Sequence, residues 1–445
     1  LAALRRLERD YLERFLPAAV EPEQLRRALP PGTAYVGWLH SPVGNRFHRS
    51  AGPVLEGAWL FVIRPEAPLR WIPLWTARSS AETSRHMAAL EACHQRYEAA
   101  SEWPLRVAED PGLERAAREA WSTWLAPAMP YLEGVRRLIV EYSGEFPRVP
   151  LESLVDAAGR PLAERFACSY SPSATTYLWL SRRAEKPALA RRPALAVGGA
   201  VYSAHATGSV PPPLSTTVLD PVLLRKALSG DPVALDQLPA LPYSLEEART
   251  VAALFPGSRL LTGAAGSERR LGELARAGRL ADFGVIHLAT HTLSECHPER
   301  SALALSRLDL DGTAGGDGLL RSRELLDGWQ LSADLLVLSG CQSARSCAWD
   351  DGEYVGFTQA LMAVGARSVV ASLWKVDDRA TALLMERFYR DLTGRIDGER
   401  RRPLPRDLAL AEAKRWLRDL RGADGTRPFA HPVYWAGFVL FGPGD

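Results

Sequence analysis

From about Arg191 onward, short apolar runs alternate with amphipathic segments whose hydrophobic positions recur at helical spacing. The runs predict buried strands, and the segments between them predict the connecting helices of a mainly parallel α/β sheet with helices on both faces. The predicted strands are RPALAVGG, SRLLTG, FGVIHLAT, LLVLSG, RSVVASLW and WAGFVLFG. The predicted helices are YSLEEARTVAALF, ERRLGELARA, YVGFTQALMAVGA, TALLMERFYRDL and PRDLALAEAKRWLRDL, the first of them opened by a Ser244 to Glu247 capping box.

The earlier part of the chain is less regular. The runs GTAYVGWL, GAWLFVI, LRWIPLW and VRRLIVEYS predict strands of a second sheet, interrupted by a helical block from about Ser84 to Leu132. A chain of 445 residues is too long for one ordinary core, so we expect two domains, at residues 1–190 and 191–445. The opening stretch LAALRRLERDYLERFL already lies in a helical pattern, from which we expect the chain to be part of a longer protein.

Charge and cysteine content narrow the classes of function. The formal net charge is +2 and acids match the arginines along the chain, which argues against a dedicated surface for nucleic acid or for an anionic membrane. The sequence has no recognisable signal peptide or membrane-spanning run. Its five cysteines are too few and too irregularly spaced for a disulfide framework, so we expect a reducing, cytoplasmic compartment.

Two of the predicted strands lead into reactive side chains. FGVIHLAT is followed by His291, and LLVLSG is followed by Cys341, fifty residues later. Functional groups of open α/β sheets lie just beyond the carboxyl ends of the strands, so adjacent strands would place this pair at one edge. An imidazole beside a thiol suits thiol catalysis, because it assists formation of the thiolate and later protonates the leaving amine. A histidine about fifty residues before the cysteine is also the caspase arrangement.

The same stretches carry a family resemblance. IHLATHT, VLSGCQSA, ALMAVGARSVVASLWKVDDRATALLMERFY and HPVYWAGFVLFG, in this order and at this spacing, resemble the CHAT domain, a caspase-like family related to separases and often found behind tetratricopeptide repeats. The stretch from LAPAMPYLEGVRRL to FACSYSPSA resembles the N-terminal half of that family, so the likeness covers nearly the whole chain. The resemblance implies a caspase-like catalytic half at residues 191–445, preceded by a non-catalytic pseudo-protease half at residues 1–190.

The resemblance also implies roles for individual residues. His291 is the second histidine of the H-x-A-T-H motif and corresponds to the catalytic one, while Cys341, after L-S-x, corresponds to the nucleophile. His287 is then a strand residue. The backbone N–H groups of Thr292 and Cys341 would form the oxyanion hole. Two positions depart from the family: Thr292 stands where glycine is common, and Gly340 stands where alanine is frequent.

Acidic residues near the predicted dyad are candidates for a substrate pocket. SLWKVDD resembles the separase segment whose acidic residue lies near the specificity pocket, which implies that Asp378, with Asp377 beside it, binds a basic substrate side chain. The alternative is a helix N-cap pair, since aspartate is favoured where DDRATALLMERF begins a helix. Glu353, in the acidic loop after the nucleophile, either touches substrate or is solvated. Ser339 stands where arginine-cutting metacaspases carry an aspartate, so that source of basic specificity is missing.

The sequence contains two weak candidates for a metal site. A cluster is conceivable from His291, Cys296, His297, Cys341 and Cys347, but the paired C-x-x-C or H-x-x-x-H spacing of zinc sites is missing. GDGLLRSRELL lacks the alternating carboxylates of an EF-hand, and a turn into a helix explains it better. We therefore expect neither a metal nor a cofactor.

The prediction is a bacterial cysteine endopeptidase that cleaves a protein substrate through the Cys341 and His291 dyad, controlled by an upstream sensing or repeat module. Family context implies a role in defence or programmed cell death. The alternative is an idle pseudo-protease that keeps the fold and serves as a protein-interaction scaffold. A non-proteolytic α/β hydrolase would need a G-x-S-x-G elbow, which the sequence lacks.

Overall fold

The structure is a computed structural model, and it describes residues 20–41, 56–77, 80–102, 110–141, 149–182, 189–202, 221–293, 301–307, 316–340, 343, 357–396 and 398–445. The chain divides into two compact units. The first comprises Leu1–Ala99 and Arg106–Arg182, and the second comprises Ala100–Leu105 and Arg183–Asp445.

The first unit contains five strands, which are β1 (Thr33–Ser41), β2 (Glu56–Arg64), β3 (Ala67–Ala77), β4 (Arg137–Glu141) and β5 (Ala167–Ser171). They pair in the order β3-β2-β1-β4-β5. The three strands β1 to β3 are antiparallel to one another, whereas β4 is parallel to both β1 and β5. The helices in this part of the chain are α1 (Pro22–Ala28), α2 (Ser80–Glu102), α3 (Pro111–Trp124) and α4 (Ala174–Ser181), with 3-10 helices at Ala126–Leu132, Leu151–Ser153 and Leu162–Glu164.

Helix α3 shows how the first unit buries an apolar face. Asp110 is its N-cap and accepts a hydrogen bond from the Gly112 N–H, while Pro111 occupies the first helical position, where its missing N–H costs nothing. The buried side chains of the helix recur at helical spacing, and they are Leu113, Ala116, Ala117, Ala120 and Trp124. Helices α2 and α3 with the 3-10 helix that follows occupy the predicted helical block.

The second unit contains β6 (Ala194–Gly198), β7 (Arg259–Thr262), β8 (Val285–Ala289), β9 (Thr292–Leu293), β10 (Ala302–Ala304), β11 (Leu319–Arg321), β12 (Leu335–Ser339), β13 (Val369–Ser372), β14 (Arg395–Ile396), β15 (Glu399–Arg400) and β16 (Phe438–Phe441). Six strands pair in the order β16-β13-β12-β8-β6-β7, and all neighbours are parallel except β16 and β13. Strands β9 to β11 form a small antiparallel sheet, and β14 pairs with β15.

The helices of the second unit are α5 (Pro221–Leu228), α6 (Pro232–Asp236), α7 (Pro242–Leu254), α8 (Glu268–Arg276), α9 (Ser322–Gly328), α10 (Phe357–Ala363), α11 (Asp378–Thr393), α12 (Arg406–Asp419) and α13 (Pro432–Trp435). Short 3-10 helices lie at Leu189–Arg191, Gly263–Gly266 and Arg279–Asp282. Helix α7 packs on β6, β7 and β8, and α11 packs on α7 and α12.

The predicted fold class is confirmed, because the second unit is a mainly parallel sheet connected by helices. All six predicted strands of this part of the chain are present. Every residue of β8 and of β12 is buried, which explains why these strands have continuous apolar sequences rather than an alternating pattern. Among the described helices, none is both long enough and apolar enough to cross a membrane.

The predicted capping box at the start of α7 is wrong. The helix begins at Pro242 with Leu241 as its N-cap, so Ser244 and Glu247 lie inside the helix and are buried. Ser244 Oγ donates to the Leu241 carbonyl at 2.6 Å and accepts from the Gly199 N–H at 3.1 Å, which ties α7 to the end of β6. The spacing of three residues that marks a capping box is also the spacing of one helix face, and here the second meaning applies.

Candidate active site

The candidate site lies at the carboxyl ends of β8 and β12. These strands are parallel neighbours with Ala289 opposite Ser339, which is the condition under which His291 and Cys341 were expected to share one edge of the sheet. The Thr290 N–H donates to the Ser339 carbonyl at 3.2 Å, so the pairing continues past the strand ends. His291 comes directly after Thr290, and Gly340 comes directly after Ser339 at the end of β12. Cys341 itself lies outside the described residues.

His291 is held in one orientation by the main chain. His291 is only 3% exposed, and its Nε2 lies 2.8 Å from the Pro239 carbonyl oxygen. A carbonyl only accepts hydrogen bonds, so Nε2 carries the proton and the neutral ring has its lone pair on Nδ1. Burial lowers the pKa of His291 below its usual value of 6.5, although the Pro239 hydrogen bond partly opposes this shift. The neutral imidazole, which is the form able to accept a proton, is therefore favoured near neutral pH.

Tyr202 supports the backbone of His291 from the segment after β6. Its hydroxyl lies 2.8 Å from Thr290 Oγ1 and 3.5 Å from the His291 backbone nitrogen. Thr290 Oγ1 donates its one hydrogen to the Ala304 carbonyl, so the Tyr202 hydroxyl donates to Thr290 and accepts from the His291 N–H. Burial raises the pKa of Tyr202 to about 12, which keeps the hydroxyl protonated. The two rings are 5.2 Å apart, so Tyr202 also packs against the imidazole.

The two departures from the family pattern, Thr292 and Gly340, are neighbours in space. A Cβ atom added at Gly340 would lie 2.3 Å from the Thr290 carbonyl oxygen and 2.6 Å from Thr292 Oγ1. Real Cβ atoms do not approach backbone this closely, so only glycine fits at position 340. Thr292 is buried, and its Oγ1 has no hydrogen-bond partner among the described residues.

A small cleft opens beside His291. Its cavity volume is about 30 Å³, the space of about two water molecules. Residues from both strand ends and from the starts of α7 and α11 line it, including Glu247, His291, Ser339, Gly340 and Asp378. The sequence did not indicate Tyr202 or Pro239 as site residues, because neither lies in a recognisable motif. It indicated Glu247 only as part of a helix-capping box.

The adjacent residues Asp377 and Asp378 have different surroundings. Asp377 is the N-cap of α11, and its Oδ1 accepts a hydrogen bond from the Ala380 N–H at 2.8 Å. Asp378 lines the cleft instead, and its Oδ2 accepts from the Tyr243 N–H at the start of α7 at 3.0 Å. Burial, with smaller contributions from the charges of Glu247 and Asp377, raises the pKa of Asp378 to about 7.

Several other predicted site residues lie outside the described residues, namely Glu353, Cys296, His297 and Cys347. Among the residues that the structure does describe, no group of histidine, cysteine, aspartate and glutamate side chains is arranged to hold a metal ion. Two cysteines of the first unit, Cys93 and Cys168, are buried thiols.

Comparison with known sequences gives a family match over most of the chain. Residues 114–443 match the sequence profile of the CHAT domain. Tetratricopeptide repeat protein 28 of Mus musculus is 35% identical over 124 residues, and that of Homo sapiens is 34% identical over 124 residues. Each match covers 28% of this chain and 4% of the relative, so the chain spans only a small part of these relatives.

Two solved structures are similar to the chain at low sequence identity. The separase–securin complex of Saccharomyces cerevisiae has a TM-score of 0.46 and 10% identity, over 95% of this chain and 31% of that chain. The Arg specific cysteine proteinase gingipain R has a TM-score of 0.38 and 7% identity, over 79% of this chain and 74% of that chain.

Proposed function

This chain belongs to the CHAT domain family, as its motifs predicted, and we propose that it is a cysteine endopeptidase with Cys341 as nucleophile and His291 as base. The observation that carries the proposal is the arrangement of His291 at the end of β8. Its Nε2 proton is engaged by the Pro239 carbonyl, and the neighbouring strand β12 leads directly to Cys341. The other ring nitrogen, Nδ1, is the basic one, and we propose that it accepts the proton of the thiol.

In the proposed reaction, His291 Nδ1 takes the proton of the Cys341 thiol as the sulfur attacks the carbonyl carbon of the peptide bond. The carbonyl oxygen becomes an oxyanion, which the backbone N–H groups of Thr292 and Cys341 stabilise. His291 then gives the proton to the departing amine, and an acyl-enzyme remains. Water hydrolyses this thioester with His291 as base, which restores the thiol and releases the acid.

The proposed substrate pocket includes Asp378. Asp378 is free of the capping role, which Asp377 fills, and it faces the cleft beside His291. A cationic substrate side chain would form charge-assisted hydrogen bonds with it. Ser339 lines the same cleft, and Glu353 is proposed to lie near the substrate on the segment after Cys341.

We also propose that the substrate is a protein and that an upstream repeat or sensing module controls its cleavage in defence or programmed cell death. Two relatives are tetratricopeptide repeat proteins by name, which supports a repeat module in this family. A free catalytic thiol suits a reducing, cytoplasmic compartment.

The test of the proposed function is substitution of the dyad. Cys341→Ala and His291→Ala should each reduce peptide cleavage to background without unfolding the protein, and the double variant should be no worse than either. Cys296→Ala and Cys347→Ala are the matched controls and should stay near the wild-type rate. A thiol-reactive peptide probe should label the wild type but not Cys341→Ala. Undiminished cleavage by either dyad variant would contradict the assignment, and a folded wild type that neither cleaves nor becomes labelled would favour the scaffold alternative.

A further inference from the structure

A second carboxylate besides Asp378 reaches the cleft from inside the protein. Glu247 lies on the inward face of α7, is 3% exposed and lines the cleft. Buried carboxylates are rare in protein interiors unless they are paired or have a function. The proposed reaction uses only His291 and Cys341, so it leaves Glu247 without a role.

The contacts of Glu247 on the protein side are incomplete. Its Oε1 lies 3.0 Å from His287 Nε2, and both side chains are almost fully buried. The two groups are close but not aligned for a hydrogen bond, so Oε1 has no hydrogen-bond partner among the described residues. The other ring nitrogen, His287 Nδ1, lies 3.1 Å from the Tyr389 hydroxyl, which fixes the ring behind Glu247.

A third acceptor faces the same space. Ser339 is 5% exposed and lines the cleft, and its Oγ has no hydrogen-bond partner among the described residues. Asp378 lines the cleft from the start of α11, a helix that packs against α7. No lysine or arginine is among the described residues that line the cleft. The described lining thus offers two carboxylates and the unpaired hydroxyl of Ser339, with no lysine or arginine side chain beside them.

Resting on the function proposed above, we propose that Glu247 is a second carboxylate of the substrate pocket and that Glu247, Asp378 and Ser339 together select arginine over lysine in the residue before the cleaved bond. A guanidinium is planar and has five N–H donors, so one head group can bond two carboxylates and a hydroxyl at once. The three N–H donors of a lysine ammonium all come from one nitrogen atom, so this group reaches fewer of the three acceptors at once.

The charges of the pocket support the same assignment. The negative charge of Glu247 is one of the smaller contributions, after burial, that raise the pKa of Asp378, because two ionised carboxylates at one cleft repel each other. A cation between them removes that repulsion. A neutral side chain leaves it in place, which adds to the discrimination.

The first experiment measures kcat/KM for three peptides that differ only in the residue before the cut, which is arginine, lysine or a neutral residue. The wild type should prefer arginine. Glu247→Gln should lower the arginine rate roughly tenfold to a hundredfold and bring the ratio of arginine to lysine close to one. Glu246→Gln, the same change at the neighbouring exposed position of α7, should alter neither. An equal loss on all three peptides would show that Glu247 acts only through the fold, and a wild-type preference for lysine would also overturn the proposal.

A second experiment needs neither turnover nor a variant. Butylguanidine and pentylamine are compared for their ability to slow the labelling of Cys341 by a small thiol reagent in the wild type. Butylguanidine should protect at lower concentration, and equal or no protection by the two would contradict the selection of arginine. Peptide cleavage that is independent of Glu247 overturns this inference alone. Guanidinium protection without any peptide cleavage would instead overturn the proposed protease function.

Discussion

The carboxyl ends of the parallel strands differ between the two units. In the first unit, β4 ends at Glu141, whose Oε2 accepts a hydrogen bond from the Tyr35 hydroxyl at 2.6 Å, and the Ala174 N–H donates to the same carboxylate. In the second unit, the strand ends lead to His291 and Ser339, and Ser339 Oγ has no partner among the described residues. Polar groups that are paired inside the fold stabilise it, whereas unpaired polar groups at a cleft remain free to bind a ligand.

The buried glutamates of the two units differ in the same way, in whether their carboxylates are hydrogen-bonded. Glu152 of the first unit accepts a hydrogen bond from the Tyr170 hydroxyl at 2.5 Å, and that hydroxyl accepts one from the Leu151 N–H. Glu247 of the second unit meets an imidazole that is close but not aligned. The comparison favours the second unit as the location of the proposed reaction, and five predictions test it.

The largest effect is expected from Gly340→Ala. The added methyl group would lie 2.3 Å from the Thr290 carbonyl, so the segments that carry His291 and Cys341 must separate. We expect kcat/KM to fall by at least about a hundredfold, because misplacement of a catalytic group by about 1 Å has effects of that size. The measurement is kcat/KM together with the thermal unfolding of the variant.

Gly272→Ala is the matched control for this prediction. Gly272 lies inside α8, and a Cβ there would meet nothing within 4 Å. Alanine favours helix over glycine by about 0.5–1 kcal/mol, so this variant should be fully active and slightly more stable. The added change Thr292→Gly should not rescue Gly340→Ala, because the contact with the Thr290 carbonyl remains. A fully active Gly340→Ala would show that the strand ends are not the site.

The second prediction separates the two adjacent aspartates. Asp378→Asn should lower kcat/KM roughly tenfold to a hundredfold for peptides with a basic residue before the cut, because a charge-assisted hydrogen bond is lost. Asp377→Asn should have little effect, because asparagine caps helices about as well as aspartate. The measurement is a peptide library that varies this residue. An unchanged preference in Asp378→Asn, or a wild-type preference for apolar or acidic residues, would remove Asp378 from the pocket.

The third prediction concerns pH. The pKa of Asp378 is raised to about 7, mainly by burial, so this carboxyl is protonated below pH 7 and ionised above it. Only the ionised form pairs with a cation, and the ratio of kcat/KM for an arginine peptide over a neutral peptide should therefore rise with pH, by at most about tenfold per unit below the pKa. His291 affects both peptides equally and cancels in the ratio. A ratio that stays flat between about pH 6 and about pH 8 would contradict ionisation of Asp378 on binding.

The fourth prediction is a smaller effect at Tyr202. Tyr202→Phe keeps the ring against His291 but removes the hydroxyl that accepts from the His291 N–H and donates to Thr290. We expect kcat to fall roughly threefold to tenfold with KM little changed, since the imidazole is less well positioned. Tyr131→Phe, at an exposed tyrosine of the first unit, is the control and should have no effect. A change in KM alone would assign Tyr202 to substrate binding rather than to positioning.

Much of the second unit is predictable from sequence, because each of its strands is marked by the residues of that strand itself. Strands buried on both faces read as continuous apolar runs, and the residues after β8 and β12 fall at one edge once those strands are parallel neighbours. The sequence did not predict strand β5, because ACSYS contains two serines and no Val, Ile or Leu, although every residue of it is buried. Burial of such a strand depends on what packs over it, which the local sequence does not encode.

The rest of the site required the structure because it is assembled from distant segments. Tyr202 and Pro239 reach His291 from parts of the chain about ninety and about fifty residues earlier, with no periodic signal at either position. The three-residue spacing of Ser244 and Glu247 fits both a capping box and one face of a helix, so the sequence alone does not indicate that Glu247 lines the cleft. Which of Asp377 and Asp378 caps the helix and which lines the cleft depends on where α11 begins. Helix boundaries are the least certain part of a sequence prediction.

The fifth prediction is the smallest and tests the first unit. Burial raises the pKa of Glu141, so its charged form is disfavoured in the folded protein and a neutral amide is a suitable replacement. Glu141→Gln should change the free energy of unfolding by no more than about 1 kcal/mol and leave kcat/KM unchanged, because the amide oxygen still accepts the hydrogen bond of Tyr35. Glu141→Ala should cost about 1–3 kcal/mol, because it leaves the Tyr35 hydroxyl buried without an acceptor, and it too should keep its activity. The measurements are chemical denaturation and peptide cleavage on the same samples. Loss of cleavage in Glu141→Gln without loss of stability would mean that the first unit takes part in the reaction, and the contrast between paired and unpaired strand ends would no longer mark where catalysis occurs.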